Sequence, residues 1–254
     1  MDQQEVLALN QRSAMYRLTS RFFRTEITRE CLDGLKAAGF PTDNPEENPL
    51  AEGFALIRKF IDEPREDPLT DLAVDYASAF LGAGKTKAAY PYESVYTSPE
   101  RLVMQGAWEE VTRIFRTHGL ACSDHRDIME DHIAMELEFM ARLTDDALAA
   151  RKAGNDAAYA ASLKEQQSFL KNHLLNWVPS FAHEAREYIE TDFYRGAVDV
   201  TEKFLAMDAY MLNDLLASAG ITPEAEPEKA KGPCKACCSK AAPQAAAAQP
   251  QAQA

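Results

Sequence analysis

Residues 128–144 read IMEDHIAMELEFMARLT, and their periodicity decides the fold class. At about 100° per residue, Ile128, Met129, Ile133, Met135, Leu137, Phe139, Met140 and Leu143 fill an arc of roughly 200° on a helical wheel. An arc that wide belongs to a helix enclosed by neighbours, so the segment from about Asp124 to Thr144 is predicted as a central helix of an all-α protein. His132 and Glu136 fall inside the apolar arc, one turn apart, whereas Asp131 and Glu138 fall on the polar side. A buried glutamate is costly unless it is paired, and His132, four residues earlier, is the nearest partner. Three roles are open to the pair: a polar contact that fixes helix register, the hydrogen-bonding floor of a binding cleft, or a site for metal or acid–base chemistry.

Spacing weighs against the last. A bundle-type di-iron site needs Glu three residues before His on two helices. The residues three before His132, His173 and His183 are Met129, Leu170 and Ser180. The zinc-protease pattern H-E-x-x-H is absent, and His132 with Glu136 supplies only two ligands.

Outward from this helix the punctuation is helical throughout. QEVLALNQRSAMYRLTSRFF (4–23) sets Val6, Leu9, Asn10, Ser13, Tyr16 and Phe23 along one broad side. A short helix follows Thr28 and ends by Gly39, and another runs through LAEGFALIRKFI to stop before Pro64. DPLTDLAVDYASAFLG (67–82) has Asp67 as N-cap, Pro68 at the first helical position and Gly82 as the stop. SPERLVMQGAWEEVTRIFRTHG (98–119) repeats the scheme with Ser98, Pro99 and Gly119, which predicts one helix weakened in its middle by Gly106. DAAYAASLKEQQSFLKNHLLNW predicts a helix that kinks or restarts at Pro179. A last helix is predicted over GAVDVTEKFLAMDAYMLNDLLASAG. No alternating run reads as a strand. The expectation is one globular domain of about nine or ten helices over residues 1–220. Residues 221–254, rich in Ala, Pro and Gln, are expected to form a disordered tail.

The net charge of −13 argues against nucleic acid or anionic lipid as partners and for a basic or neutral one. No apolar run reaches membrane-spanning length, and the opening MDQQEVLALN lacks the basic start of an export signal. The body holds only Cys31 and Cys122, too few for a disulfide framework. A cytoplasmic protein without stable membrane insertion is expected.

Two further motifs carry little chemistry. Gly84-Lys85-Thr86 ends like a phosphate-binding loop, but the first glycine of that motif would fall at Ala79, inside a predicted helix with no strand before it. In the tail, Cys234, Cys237 and Cys238 have zinc-like spacing without a fourth ligand nearby. No nucleophile with its base is recognisable, so binding fits better than catalysis, and no cofactor is expected.

The stretch GAGKTKAAYPYESVYTSPE between two capped helices is rich in tyrosine, and amphipathic aromatics suit protein recognition. Tyr76 and Phe80, then PYESVY, then DHIAMELEFM, then FLKNHLLNWVPSF resemble, in that order, the TorD/DmsD family of cytoplasmic chaperones for molybdenum-containing oxidoreductases. The resemblance spans roughly residues 5–215. It implies an all-helical, non-catalytic protein that binds the twin-arginine leader of an apo-molybdopterin oxidoreductase, the enzyme body, or both, and holds it back from export until the cofactor is inserted. It also allows a monomer or a helix-exchanged homodimer. The family's Asp-His pair falls on Asp131 and His132, and its aromatic loop on Pro91, Tyr92, Ser94 and Tyr96. Ile128 and Met129 replace the Glu and Pro that usually precede that pair, and the Cys-bearing tail lies outside the pattern. On this basis Tyr76, Pro91, Tyr92, Glu93, Ser94, Tyr96, Asp131, His132 and Glu136 are the expected client-binding residues. Asp131 and Glu93 would take arginine, and His132 with Glu136 would form the cleft floor. The competing expectation is a helical metal-binding or redox protein that uses His132, Glu136 and the tail cysteines.

Overall fold

The computed structural model describes residues 3–40, 48–120 and 128–222. The expected tail, with Cys234, Cys237 and Cys238, lies outside the described residues, as do Cys122 and residues 124–127 of the expected central helix. Among the described residues the chain is all-α, without a strand.

The capping signals locate several helices as expected. Helix α1 spans Gln3–Arg24, α2 Arg29–Ala38 and α3 Ala51–Asp62. The Thr28 hydroxyl caps α2 by accepting from the Cys31 amide. Helix α4 spans Pro68–Leu81, with the Asp67 side chain accepting from the Thr70 amide and Gly82 left-handed at φ 73°. A one-turn helix α5 (Glu93–Thr97) follows, then α6 (Gly106–Thr117) and α7 (Ile133–Lys152). Helix α8 (Asp156–Phe169) passes through a π turn, Leu170–Leu174, into α9 (Leu175–Tyr188), and α10 spans Asp192–Ser218.

Four boundaries differ from the sequence expectation, each for a local reason. Residues 98–105 are not helical: Ser98 caps the C-terminus of α5 instead of opening α6, and Arg101 and Met104 have positive φ. The central helix starts at Ile133 rather than near Asp124, because His132 is extended and its ring nitrogen caps the Ala134 amide. The chain breaks step at the π turn and not at Pro179. That proline sits inside α9, where its missing amide leaves only the Leu175 carbonyl without an i+4 partner. Helix α10 begins at Asp192, capped by Thr191, four residues before Gly196, the expected start.

Helix α7 packs between α1 and α8, while α10 lies against α3 and α9. An aromatic centre joins them. Phe23 meets Phe80 and Phe181 edge-on, each at 5.7 Å between centroids, and Tyr76 and Tyr194 close around Phe80. No described helix is long and apolar enough to cross a membrane.

Candidate functional site

The segment after α4 returns to the body as a strap formed by residues 88–98 and crosses the chain just before α7. Its anchors are backbone and side chain together. The Ile133 amide donates to the Pro91 carbonyl and the Glu93 amide to the Asp131 carbonyl, both at 2.9 Å, so Tyr92 and His132 form an isolated antiparallel bridge. Asp131 then holds α5 from beneath. One of its oxygens, Oδ2, accepts the Ser94 amide at 3.0 Å and the Ser94 hydroxyl at 2.5 Å. The same hydroxyl accepts the Gln105 amide at 3.2 Å, tying the chain leading into α6 to the same point.

Asp131 is fully buried, which corrects its expected place on the polar face. The wheel presumes a helix through residue 131, but α7 begins two residues later and Asp131 turns inward to meet Ser94. Its second oxygen, Oδ1, has no hydrogen-bond partner among the described residues. Burial raises its pKa, and the two Ser94 bonds act against that rise.

His132 and Glu136 do not pair side chain to side chain. His132 Nδ1 accepts from the Ala134 amide at 3.1 Å, which places the proton of the neutral ring on Nε2. Burial, with a smaller contribution from Arg24, lowers its pKa to about 3 and keeps it uncharged. Tyr92 packs edge-on against the ring at 4.8 Å. Glu136 Oε2 instead accepts from Trp177 Nε1 at 3.0 Å, and its Oε1 has no donor. Both residues are covered, so they do not form the floor of an open cleft. The expectation fails because the strap lies over them.

Glu93 faces Glu136 and is itself buried, with Oε2 bonded to His173 Nδ1 at 2.9 Å. Burial, then the neighbouring Glu93 carboxylate, pushes the Glu136 pKa well up. Glu136 therefore keeps its proton and donates it in a hydrogen bond to the Glu93 carboxylate. A folded state that holds this proton loses stability as pH rises above the ordinary glutamate value of 4.5. Glu136→Gln removes that loss while its amide still accepts from Trp177 and donates to Glu93. The variant should match wild type at pH 4 and melt about 3–6 °C higher at pH 7.5, the equivalent of about 1–2 kcal/mol. Equal melting temperatures at both pH values would contradict the protonated assignment.

The strap residues thus meet Asp131, His132 and Glu136 in one buried cluster. Tyr96 stacks on Trp177 with 5.6 Å between centroids. Tyr76 stands apart from these hydrogen bonds: its hydroxyl donates to the Phe23 carbonyl at 2.8 Å within the aromatic centre. Sequence reasoning gave no site role to His173 and Trp177, which lie in the family-like run FLKNHLLNWVPSF, or to the Trp108 indole, which donates to Glu130 Oε2 at 2.7 Å. The available signal was His173 and Trp177 at i and i+4 in an otherwise apolar run. Among the described residues no group of three or more His, Cys, Asp or Glu side chains could hold a metal ion. A cleft of about 660 Å³ exists elsewhere, lined by Glu5, Arg151, Tyr159 and Leu215 among others, and touches none of these residues.

The described residues thus form an all-helical body with a short aromatic strap pinned over a buried Asp-His pair. Residues 43–183 match the family model described as nitrate reductase delta subunit. The chain belongs to that family and, within it, to the TorD/DmsD type of molybdoenzyme maturation chaperone. It is similar to the chaperone protein TorD of Vibrio vulnificus strain YJ016, 28% identical over 214 residues, which covers 81% of this chain and 97% of the relative. TorD of Photobacterium profundum is 28% identical over 215 residues, covering 82% and 98%. TorD of Vibrio cholerae strain O395 is 26% identical over 219 residues, covering 84% and 97%.

Proposed function

We propose that the protein is a system-specific, non-catalytic cytoplasmic chaperone that binds the twin-arginine leader of an apo-molybdopterin oxidoreductase and holds back export until the cofactor is inserted. The observation that carries this reading is Asp131 Oδ1, a fully buried carboxylate oxygen without a donor. Leaving such a group unsatisfied costs about 1–3 kcal/mol. A guanidinium satisfies it with a charge-assisted bond. Asp131 lies directly under the strap residues Pro91, Tyr92, Glu93, Ser94 and Tyr96, which are held by hydrogen bonds to Asp131, Ile133 and His173 and by ring contacts of Tyr92 with His132 and of Tyr96 with Trp177. Lifting the strap bares Asp131 and Glu93 to an arginine while His132 stays neutral behind them. The net charge of −13 draws a basic leader toward the site.

The test is calorimetric titration with a synthetic twin-arginine leader. Asp131→Asn keeps an oxygen for the two Ser94 bonds and replaces the charged Oδ1 by an NH2 donor, which a guanidinium cannot use as an acceptor. Affinity should fall about tenfold, equivalent to about 1.4 kcal/mol, with helicity unchanged by circular dichroism. Unchanged affinity removes Asp131 from the recognition site.

A further inference from the structure

Helix α4 is apolar on two sides. Leu72, Tyr76, Ala79 and Phe80 are buried in the core, yet Val74 and Leu81 are 62% and 56% exposed. With the half-buried Ala77 they recur at steps of three and four residues, the spacing of a helix–helix seam. A helix that is apolar all round is ordinarily enclosed, and this one meets the core on one side only. Tyr90, 43% exposed, extends the seam past the end of the helix. Its hydroxyl lies against Gly82, where an added Cβ would stand 2.7 Å from it. The outward face also carries no charge. Between Asp71 and Lys85 the only charged residue is Asp75. It is buried, and its carboxylate accepts the Glu190 and Thr191 amides and the Thr191 hydroxyl. In a chain of net charge −13, an uncharged face is where a second copy meets least repulsion.

The two ends of this face differ in sign. At its entry lie Glu63, Glu66, Asp67 and Asp71. Arg65 is the one cation among them, paired with Glu63 at 2.8 Å and with Asp71 at 3.4 Å. At its exit lie Lys85 and Lys87. Lys85 pairs with Glu190 at 3.1 Å, whereas Lys87 is exposed and forms no ion pair among the described residues. A face that is apolar in the middle, acidic at one end and basic at the other is complementary to itself about a two-fold axis. We propose that α4 is a homodimerisation surface, on which two copies of the chain pack α4 antiparallel to α4 without exchanging helices. A crossing at Ala77 sets Val74 of each copy against Leu81 of the other, and the small alanine lets the axes approach. The same rotation brings Lys87 of each copy toward Asp71 of the other, giving two ion pairs related by the axis. A parallel alignment would set acid against acid and is selected against. Helix α4 has 14 residues, a length of about 21 Å. The contact is therefore small, and the dimer should dissociate with a Kd of about 10 μM.

Sedimentation equilibrium of the full chain from about 1 to about 200 μM reads the association directly. Wild type should pass from monomer to dimer across that range, and Leu81→Gln should weaken the dimer about tenfold. Because Leu81 is mostly exposed, that variant should keep the circular dichroism and melting temperature of wild type. Charge reversal then tests the arrangement. Asp71→Lys and Lys87→Asp should each weaken the dimer about fivefold or more, since each turns two attractive pairs into repulsive ones. The combined variant Asp71→Lys/Lys87→Asp restores both pairs with signs exchanged and should regain wild-type association. Poor folding of Asp71→Lys would not be rescued by the second change. Wild type that stays monomeric to about 200 μM overturns the proposal. So does a dimer that Leu81→Gln and both single reversals leave intact, which assigns association to another surface or to exchanged helices. Weakening by both reversals without rescue in the combined variant overturns the antiparallel arrangement.

Discussion

Asp208→Asn should cost about 3–5 kcal/mol of stability, the range for removing one partner from a buried ion pair, and lower the melting temperature by about 10 °C or more. Asp208 on α10 and Arg12 on α1 are both inaccessible to solvent. The carboxylate accepts Arg12 Nε at 2.5 Å and Nη2 at 2.9 Å, and also the Tyr16 hydroxyl at 2.5 Å. Arg12 Nη1 reaches Gln166 Oε1 on α8 at 2.8 Å, and Gln166 in turn meets Thr144 on α7. Four helices are thus tied at one point. Burial works against the Arg12 charge, but Asp208 beside it outweighs that and holds its pKa above the ordinary arginine value. A neutral amide in place of the Asp208 carboxylate would leave a guanidinium without its counter-charge in the core, which is the expensive case. Arg12→Met/Asp208→Leu removes both charges, and replacing a whole buried pair by apolar groups is often neutral. The double variant should therefore recover most of the loss. Urea unfolding of the four proteins in the cycle decides it, and a single-variant loss below about 1 kcal/mol would contradict the buried-pair account.

That network shows where the sequence was legible and where it was not. The helical class could be read because apolar residues recur at 3.6-residue spacing and because Thr28, Asp67 and Gly82 punctuate the chain with chemistry that acts within one turn. Arg12 was not legible as a core residue. It lies three residues after Leu9 and four before Tyr16, on the buried side of α1, but only a partner 196 residues away makes an arginine tolerable there. The candidate site divides in the same way. The Asp131–His132 pair and the PYESVY loop were visible as types of residue in a pattern. Their burial was not, because it depends on where α7 starts and on the strap closing over it. Ser98 has the composition of an N-cap, yet it ends α5, since the contacts of Arg101 with Tyr96 and Glu184 set the backbone that follows. Local signals prevail where bonding partners are local. The site is built from long-range partners, Glu93 with His173 and Glu136 with Trp177, and these exist only once the helices have packed.

Gly196→Ala should destabilise the protein by about 2 kcal/mol or more, even though alanine favours a helix interior over glycine by about 1 kcal/mol. Gly196 lies within α10, where α3 crosses it. A Cβ there would fall on the Gly53 carbonyl oxygen, far inside van der Waals contact, and 2.9 Å from Ile57 Cγ1. The obstacle is backbone, which a rotamer change cannot move, so the two helices must separate along their length. Gly53 faces the same crossing, and its Cβ would meet Val200 Cγ2 at 2.7 Å and the Gly196 carbonyl oxygen at 3.0 Å. The pair acts as a close-approach point between α3 and α10 that the sequence disguises: by pattern, Gly53 is an indifferent helix residue and Gly196 a helix start. Gly34 in α2 provides the control, since nothing lies within 4 Å of its added Cβ. Gly34→Ala should stabilise the fold by about 0.5–1 kcal/mol through helix propensity alone. Thermal unfolding of the two variants side by side separates propensity from packing, because opposite signs require the α3–α10 contact and equal gains would exclude it.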